Sequence, residues 1–509
     1  MPPNKIVTDA ALKLGPRIRA ERTVGAVTAV LIILLVTLFT RLLQLGDPTA
    51  HIDDQFYLYA GQSLLTGDLP YVEIWDRKPI GIFLIYAACA ALGGNGVIQY
   101  QIVAGLFVFA TALTIYAFGR HIATHQGALR AAILYPIIIL PIGGGAGQTP
   151  IFYNLLVAVA ALLTFRTVVG RQGSSLIAAY AGMGLIGLAL VIKQTVVFEG
   201  ALFGLFLAGS IYIRTRHVAR TALTSLGLMA SAAIPTLLAF AVYWQRGYIA
   251  EIWQATVISV FQKEPVTFAD RMFGMPQFVK AIAVPFSATG FSLLTIVNDK
   301  GWTLTTSFFA AWCATAIVSF FAIPNFFDHY ALPLALPFCV TMATALGGRF
   351  PGTPIFVAVL IAVGSTIDYI PHFASRFRAD YPRLLADVRT SLRGGCLYVH
   401  FGPPQLYTDT GACRVTRFVF PDHLDTEVER SALPVKQDAE IERIFREQPP
   451  KLVVTGDRIF LLRNPQAAAI LHRYLQCGYR PSHWYRLGWD RPVQIWVRQD
   501  RIFPSCKLS

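Results

Sequence analysis

Eleven apolar runs follow one another between positions 24 and 370 of this 509-residue chain: 24–45, 97–118, 131–142, 151–169, 176–192, 196–213, 223–244, 278–297, 304–323, 331–346 and 355–370. A hydrocarbon core takes about 20 helical residues to cross, and backbone polar groups inside it must be satisfied within the segment. So many runs in one chain dictate a bundle of helices in a bilayer. Composition agrees, because 54% hydrophobic and 14% charged residues are too apolar for a soluble globule of this length. The formal charge of +14 therefore bears first on membrane topology and only then on nucleic acid.

The basic residues largely alternate between loops. Residues 1–23 carry Lys5, Lys13, Arg17, Arg19 and Arg22 against Asp9 and Glu21, which makes this an inside-facing, cytoplasmic tail. The run at 24–45 ends without a small-residue cleavage site and reads as an anchor. The inward loops then hold Arg120 and Arg130, Arg166 and Arg171, Arg214, Arg216 and Arg220, Lys300, and Arg349. One outward loop, after Trp244, breaks the rule with Arg246, Lys263, Arg271 and Lys280. Two readings fit it: an anionic ligand, or a long loop exempt from the rule.

Eleven spans from an inside start put the tail after position 371 outside. Composition changes there, and 396–401, 416–420, 451–456 and 493–497 read as strands while 438–448 and 465–475 read as helices. The expected organisation is a tail (1–23), a membrane domain (24–371) with an outer loop at 46–96, and a small outward α/β domain (372–509) large enough for its own core. Cys396, Cys413, Cys477 and Cys506 lie in that domain, where two disulfides in any of three pairings suit an oxidising compartment. Their spacing is not that of a zinc site, and the domain reads as a structural or acceptor-docking cap.

The chemistry concentrates in the outer loop. HIDDQFYLYAGQSLLTGDLPYVEIWDRKPIGIFLI, starting at His51, places two adjacent carboxylates, several aromatics and a WDRKP cluster between apolar runs. Residues 53–65 have helical spacing, and 79–92 form a second helix with Pro79 at its start, too short to span and suited to the interface. Asp53 and Asp54 open the first helix, where the dipole favours negative charge; one of them can serve as N-cap, but not both. Asp53 shares a face with Tyr57, and Arg77 and Lys78 supply cations further on. A carboxylate that takes a proton from a hydroxyl, opposite cations that hold a departing phosphate, is the pairing for transfer from a lipid phosphate. No G-x-x-x-x-G-K-[ST], strand-borne G-x-G-x-x-G, HExxH or CxxC occurs, which argues against nucleotide chemistry; the Gly-rich run at 143–147 lies between spans and reads as a tight loop.

The order D-D-x-x-Y, G-D-x-P-Y, W-D-x-K-P-I-G ahead of an apolar helix resembles the first outer loop of the GT-C membrane glycosyltransferases, in the branch of the aminoarabinose transferases of lipid A and the protein O-mannosyltransferases. The resemblance implies a mainly α, polytopic GT-C-like fold of about eleven transmembrane helices plus juxtamembrane helices, and a multi-pass enzyme of the bacterial inner membrane with its site and tail facing the periplasm. It implies Asp53 as base or acceptor-positioning group, Asp54 as its acidic neighbour, and Lys78 as the family's lysine, although Ile80 replaces the second proline of Lys-Pro-Pro. Lys193 matches a lysine at a helix end and either binds the donor phosphate or snorkels to the interface. His329 and Tyr330, beside Asp328, either line the substrate or belong to an interface belt; Tyr57, Tyr71 and Gln148 are further lining residues. The second outer loop carries Gln148 and Asn154 where relatives place a carboxylate, against a two-carboxylate metal site.

The expected reaction is inverting transfer of a monosaccharide from a polyprenyl-phosphate donor to a lipid, glycan or protein acceptor of the cell envelope. Asp53 acts as base, and Lys78, Lys193, Arg77 and Arg271 or Arg246 serve as phosphate cations. No cofactor is required; a divalent ion, Mg²⁺ or Mn²⁺, can bridge Asp53 and phosphate. The rival readings are a lipid-linked sugar flippase or transporter and a non-catalytic scaffold for envelope assembly.

Overall fold

The computed structural model describes residues 16–48, 50–170, 175–272, 275–322, 327–348, 350–367, 369–456, 462–487 and 491–499. Lys5, Lys13, Arg171, Arg349 and Cys506 fall outside the described residues, as do the side chains of Arg17, Arg19, Arg22, Arg271 and Lys300.

All eleven apolar runs form helices. The first nine helices are α1 (Pro16–Leu42), α2 (Ile52–Leu65), α3 (Ile80–Ala90), α4 (Val97–Ile122), α5 (His125–Ile138), α6 (Thr149–Val169), α7 (Leu176–Leu190), α8 (Val197–Thr215) and α9 (Val218–Gln245). Met275–Lys300, Leu304–Phe321, Leu332–Met342 and Gly352–Gly364 complete the bundle. Among the described residues, seven of these eleven helices are long and apolar enough to cross a membrane by length and composition. The other four are α5, α7, Leu332–Met342 and Gly352–Gly364, of 14, 15, 11 and 13 residues. Physical stops cut them short: α5 runs into Pro141 and then Gly143, whose φ of 78° turns the chain away. A short helix needs no lipid-facing length when neighbours surround it, and every residue of Leu332–Met342 except Pro333 is buried.

Between α1 and α4 the chain folds back as α2 and α3, neither of which spans. His51 caps α2, its Nδ1 accepting from Asp53 N–H at 3.4 Å. The two helices touch closely: a Cβ on Gly61 would stand 2.6 Å from Ala87 N. Phe56, Tyr57, Tyr71, Trp75, Phe83 and Tyr86 fill the space around them, a large apolar burial for so short a loop. At the start of α3, Gly81 N–H donates to Val191 O at 2.6 Å, and a Cβ there would lie 2.4 Å from that oxygen. The entry to α3 and the end of α7 are thus in backbone contact.

Helix Tyr369–Leu392 leads to a four-stranded sheet of order β1-β2-β4-β3, formed by β1 (Leu397–Val399), β2 (Leu452–Gly456), β3 (Tyr479–Leu487) and β4 (Arg491–Arg498). β1 and β2 are parallel, and the pairs of β4 with β2 and β3 are antiparallel. One expected strand needs correction and one observed strand was not expected. Residues 416–420 are not a strand but an irregular segment whose Arg417 carbonyl accepts from Trp75 N–H at 2.9 Å. β3 went unread because Pro481 interrupts its pattern, and the register shifts there between Pro481 and Trp484. Cys396 pairs with Cys413, settling one of the cysteine partnerships.

This α/β unit sits directly on the 46–96 segment. Arg414 reaches Asp68 at 2.7 Å and Tyr59 OH at 3.2 Å, the Trp75 ring packs on His423 and Phe418 with centroids 4.6 and 5.8 Å away, and Arg77 pairs with Glu429.

Candidate active site

Asp53 is the hub. Lys78 Nζ donates to its Oδ1 at 3.1 Å, Tyr57 OH to the same oxygen at 3.3 Å, and Gln148 Nε2 to Oδ2 at 3.1 Å. Tyr57 falls there because it lies one helical turn beyond Asp53 on α2. His51 Nδ1 lies 3.3 Å from Asp53 Oδ2 and also meets Gln148 Nε2. Burial opposes ionisation of Asp53, but Lys78, His51 and His329 outweigh it and hold the carboxyl well below the usual range. Burial opposes the charge on Lys78 too; Asp76 and Asp53 outweigh it and push the ammonium upward. Lys78 Nζ also lies over the rings of Tyr57 and Phe420, 4.9 and 5.4 Å from their centroids. Tyr71 OH donates to Lys78 O at 2.8 Å, and Lys78 N–H to Asp76 Oδ1 at 2.7 Å, so backbone and side chain of Lys78 are both fixed.

Asp54 faces elsewhere. Its Oδ2 accepts from Gly147 N–H at 2.7 Å, while Oδ1 is buried without a hydrogen-bond partner among the described residues. Burial raises its pKa to about 6, against the pull of His51 and Gly147. Arg41 holds the same Gly-rich loop from α1, donating to Gly144 O at 2.7 Å and Ala146 O at 3.2 Å. The loop admits no side chain at Gly147, where a Cβ would meet Tyr86 OH at 2.2 Å. Held in this way, the loop delivers Gln148 to Asp53.

Beside this hub is a small pocket whose lining includes Lys193, Tyr330, His329, Tyr153, Thr149 and Ser319. Lys193 Nζ lies 5.1 Å over the Tyr330 ring. Burial, with Lys78 and Lys263 nearby, lowers Lys193 to about 7. His329 packs edge-on to His51 with centroids 5.3 Å apart. Burial lowers the His329 pKa although Asp328 and Asp53 draw it up. Lys193 and His329 therefore both line the pocket beside Asp53.

The other expected residues divide. Arg77, expected at a donor phosphate, gives both terminal nitrogens to Glu429, which also accepts from Lys263 at 3.2 Å. Asn154 is structural, donating to Tyr135 OH at 3.1 Å and Leu332 O at 3.2 Å. His51 went unread as a site residue, although a histidine at an N-cap position beside two aspartates was the available signal. Glu429 and Phe420 carried no local signal, because more than 350 positions separate Glu429 from its partner Arg77.

His51, Asp53 and His329 bring ligand-capable atoms within 4.8 Å of one another. Two imidazoles and one carboxylate fit a borderline transition ion such as Zn²⁺ or Fe²⁺ better than Mg²⁺ or Mn²⁺, which favour oxygen ligands.

The fold can now be compared with known ones. No family model matches the chain, and no curated protein sequence does. Among solved structures, ArnT from Cupriavidus metallidurans bound to undecaprenyl phosphate superposes with a TM-score of 0.59 at 13% identity, over 92% of this chain and 97% of that one. Its apo state gives 0.60 at 12% identity, over 94% and 98%. The oligosaccharyltransferase AglB of Archaeoglobus fulgidus, in complex with an inhibitory peptide and a dolichol-phosphate, gives 0.54 at 10% identity, over 93% and 74%. The same organism's oligosaccharyltransferase in complex with Zn and sulfate gives 0.53 at 11%, over 84% and 67%. The chain has the fold of these structures, ArnT and the archaeal oligosaccharyltransferase. Within that fold its arrangement is the ArnT-like one, a helical membrane bundle with a small α/β unit following it.

Proposed function

We propose that the protein transfers a monosaccharide from a polyprenyl-phosphate donor to a hydroxyl of an envelope acceptor, at the outer face of a bacterial inner membrane. The observation that carries this reading is Asp53, held between Lys78 and Gln148 beside a pocket containing Lys193. The donor lies with its lipid between helices and its phosphodiester near Lys78 and Lys193. The acceptor oxygen attacks the anomeric carbon opposite the phosphate, its proton passes to Asp53, and the carbon–oxygen bond to phosphate breaks with both electrons leaving on the phosphate. The product has inverted configuration.

In the free protein Asp53 is a weak base, because Lys78 stabilises its ionised form. An arriving phosphate competes for that ammonium. As Lys78 turns to the phosphate, the Asp53 carboxylate regains basicity, so donor binding and base activation are one event. Tyr57 and Gln148 keep the carboxylate aimed meanwhile. A divalent ion, when bound, would be held by His51, Asp53 and His329 and would supply Lewis acidity toward the phosphate. Phosphate departure needs little protonation, so one carboxylate suffices.

Relatives in fold bound to undecaprenyl phosphate or dolichol-phosphate support the donor class. The test is transfer of labelled sugar from polyprenyl-phosphate donors by wild type and Asp53→Asn at matched folded amount. Loss of about 10²- to 10⁴-fold in the variant is expected; equal activity would move the base elsewhere, and inactivity of both would favour a transporter or scaffold.

A further inference from the structure

Among its contacts with the candidate site, the α/β unit brings a carboxylate, Glu429, to Arg77 and a ring, Phe420, to Lys78. Glu429 is buried, with 6% of its side chain exposed, and binds Arg77 of the 46–96 segment and Lys263 of the segment after α9. Burial opposes the charge of Glu429, but Arg77 and Lys263 outweigh it and hold the carboxyl far below its ordinary range. Around that junction the segment after α9 is tied to the same unit: Glu264 N–H donates to Val428 O at 3.1 Å, and Arg430 lies 3.6 Å from Glu264. Arg77 is braced from beneath by the Trp75 ring, 5.3 Å away, and its carbonyl accepts from Gln194 Nε2 at 2.9 Å. Gln194 follows Lys193 in the chain, and Lys78 follows Arg77. One carboxylate of the α/β unit therefore fixes the residue before Lys78, which in turn holds the residue after Lys193.

We infer that Glu429 is a positioning residue for the proposed transfer, acting through Arg77 to set the two lysines that face the donor phosphate. The inference rests on the transferase reading. Phe420 supports it from the same unit, because its ring lies against the Lys78 ammonium and limits where that side chain can go. A mere fastening of two domains would tolerate any geometry that keeps them together, whereas positioning requires the carboxylate at its full reach.

The test uses full-length protein in lipid, with Glu429→Gln, Glu429→Asp and the exchanged pair Arg77→Glu/Glu429→Arg. Transfer of labelled sugar and binding of a short-chain polyprenyl phosphate are both measured. For Glu429→Gln we expect kcat per folded molecule to fall about 10- to 100-fold, the effect of a small misplacement at distance, together with a lower melting temperature, because Arg77 and Lys263 lose their buried counter-charge. Glu429→Asp keeps the charge but shortens the reach, so it remains well below wild type, and the exchanged pair regains part of what Glu429→Gln loses. Glu429→Gln transferring within twofold of wild type overturns the positioning role and leaves the transferase reading standing. A loss that merely tracks loss of folded protein, with no regain in the exchanged pair, overturns it too. Wild-type protein that binds polyprenyl phosphate but transfers nothing, or does neither, overturns both readings together.

Discussion

Lys78 and Asp53 meet at 3.1 Å, yet they come from different structural settings: Asp53 from the first turn of α2, Lys78 from the turn that enters α3. Asp76, 3.9 Å from the same ammonium, shares the neutralisation. Removing one charge of such a buried pair strands the other, at a cost of about 3–5 kcal/mol. Lys78→Met and Asp53→Asn should each lower thermal stability, and the double variant should regain much of the loss while remaining inactive. Additive losses in the double-variant cycle would show that the two groups are not coupled.

Lys193 gives the donor site a pH dependence. Its pKa lies at about 7 in the free protein, and a bound phosphodiester of fixed negative charge must raise it. Above pH 7 donor binding then takes up a proton. Affinity for a polyprenyl-phosphate sugar should therefore weaken as pH rises past 7, by up to about tenfold per unit. Lys193→Met should bind more weakly and with a flatter profile. An unchanged slope in that variant would remove Lys193 from the phosphate site.

Asp54 titrates in the opposite sense to Asp53. Its folded pKa of about 6 exceeds the ordinary 3.8, so the protonated form is the one folding favours. The stability it contributes is complete below pH 3.8 and is lost as pH rises through 6. Asp54→Asn should stabilise the protein relative to wild type at pH 7.5, by up to about 3 kcal/mol, and make little difference at pH 4. The variant should retain transfer, because an amide oxygen still accepts from Gly147 N–H. Complete loss of transfer with intact folding would make Asp54 a participant in the chemistry.

Gly147 tests how Gln148 is delivered. A methyl there collides with Tyr86 OH at 2.2 Å and the Tyr100 ring at 2.8 Å, an overpacking of about 1–3 kcal/mol. Gly147→Ala should destabilise the protein and lower transfer by dragging Gln148 off Asp53. Gly209→Ala on α8, where nothing lies within 4 Å, is the control and should leave both unchanged. Equal effects from the two would point to a general fault of the glycine changes.

Much of this was legible in the sequence, because bilayer burial and helix capping are local. Apolar runs gave all the bundle helices, and Asp53, Tyr57 and Lys78 were readable from spacing and charge. Helix length was less so: where α7 stops is decided by the Gly81–Val191 contact across more than a hundred positions, not by apolarity. Gln148 was read as a lining residue and a missing carboxylate but not as a partner of Asp53, since nothing local says that Asp54 and Arg41 hold its loop against that carboxylate. Arg77 looked like a phosphate ligand because its partner Glu429 lies in another domain, and 416–420 looked like a strand because its aromatics alternate while in fact gripping Trp75 and Phe56.

The junction of Gly81 and Val191 has a consequence for the surrounding lipid. α7 has 15 residues and rises about 22 Å at 1.5 Å per residue, short of a hydrocarbon core about 30 Å thick. Its end is tied through Val191 to the entry of α3, and Lys193 follows two residues later. Where lipid meets the exposed face of α7 at Ile177 and Leu188, it must thin locally or let flanking side chains reach outward, and longer acyl chains would strain the segment that carries the lysine. The rate of the proposed transfer should therefore depend on acyl-chain length, making membrane thickness a physical variable of the candidate site.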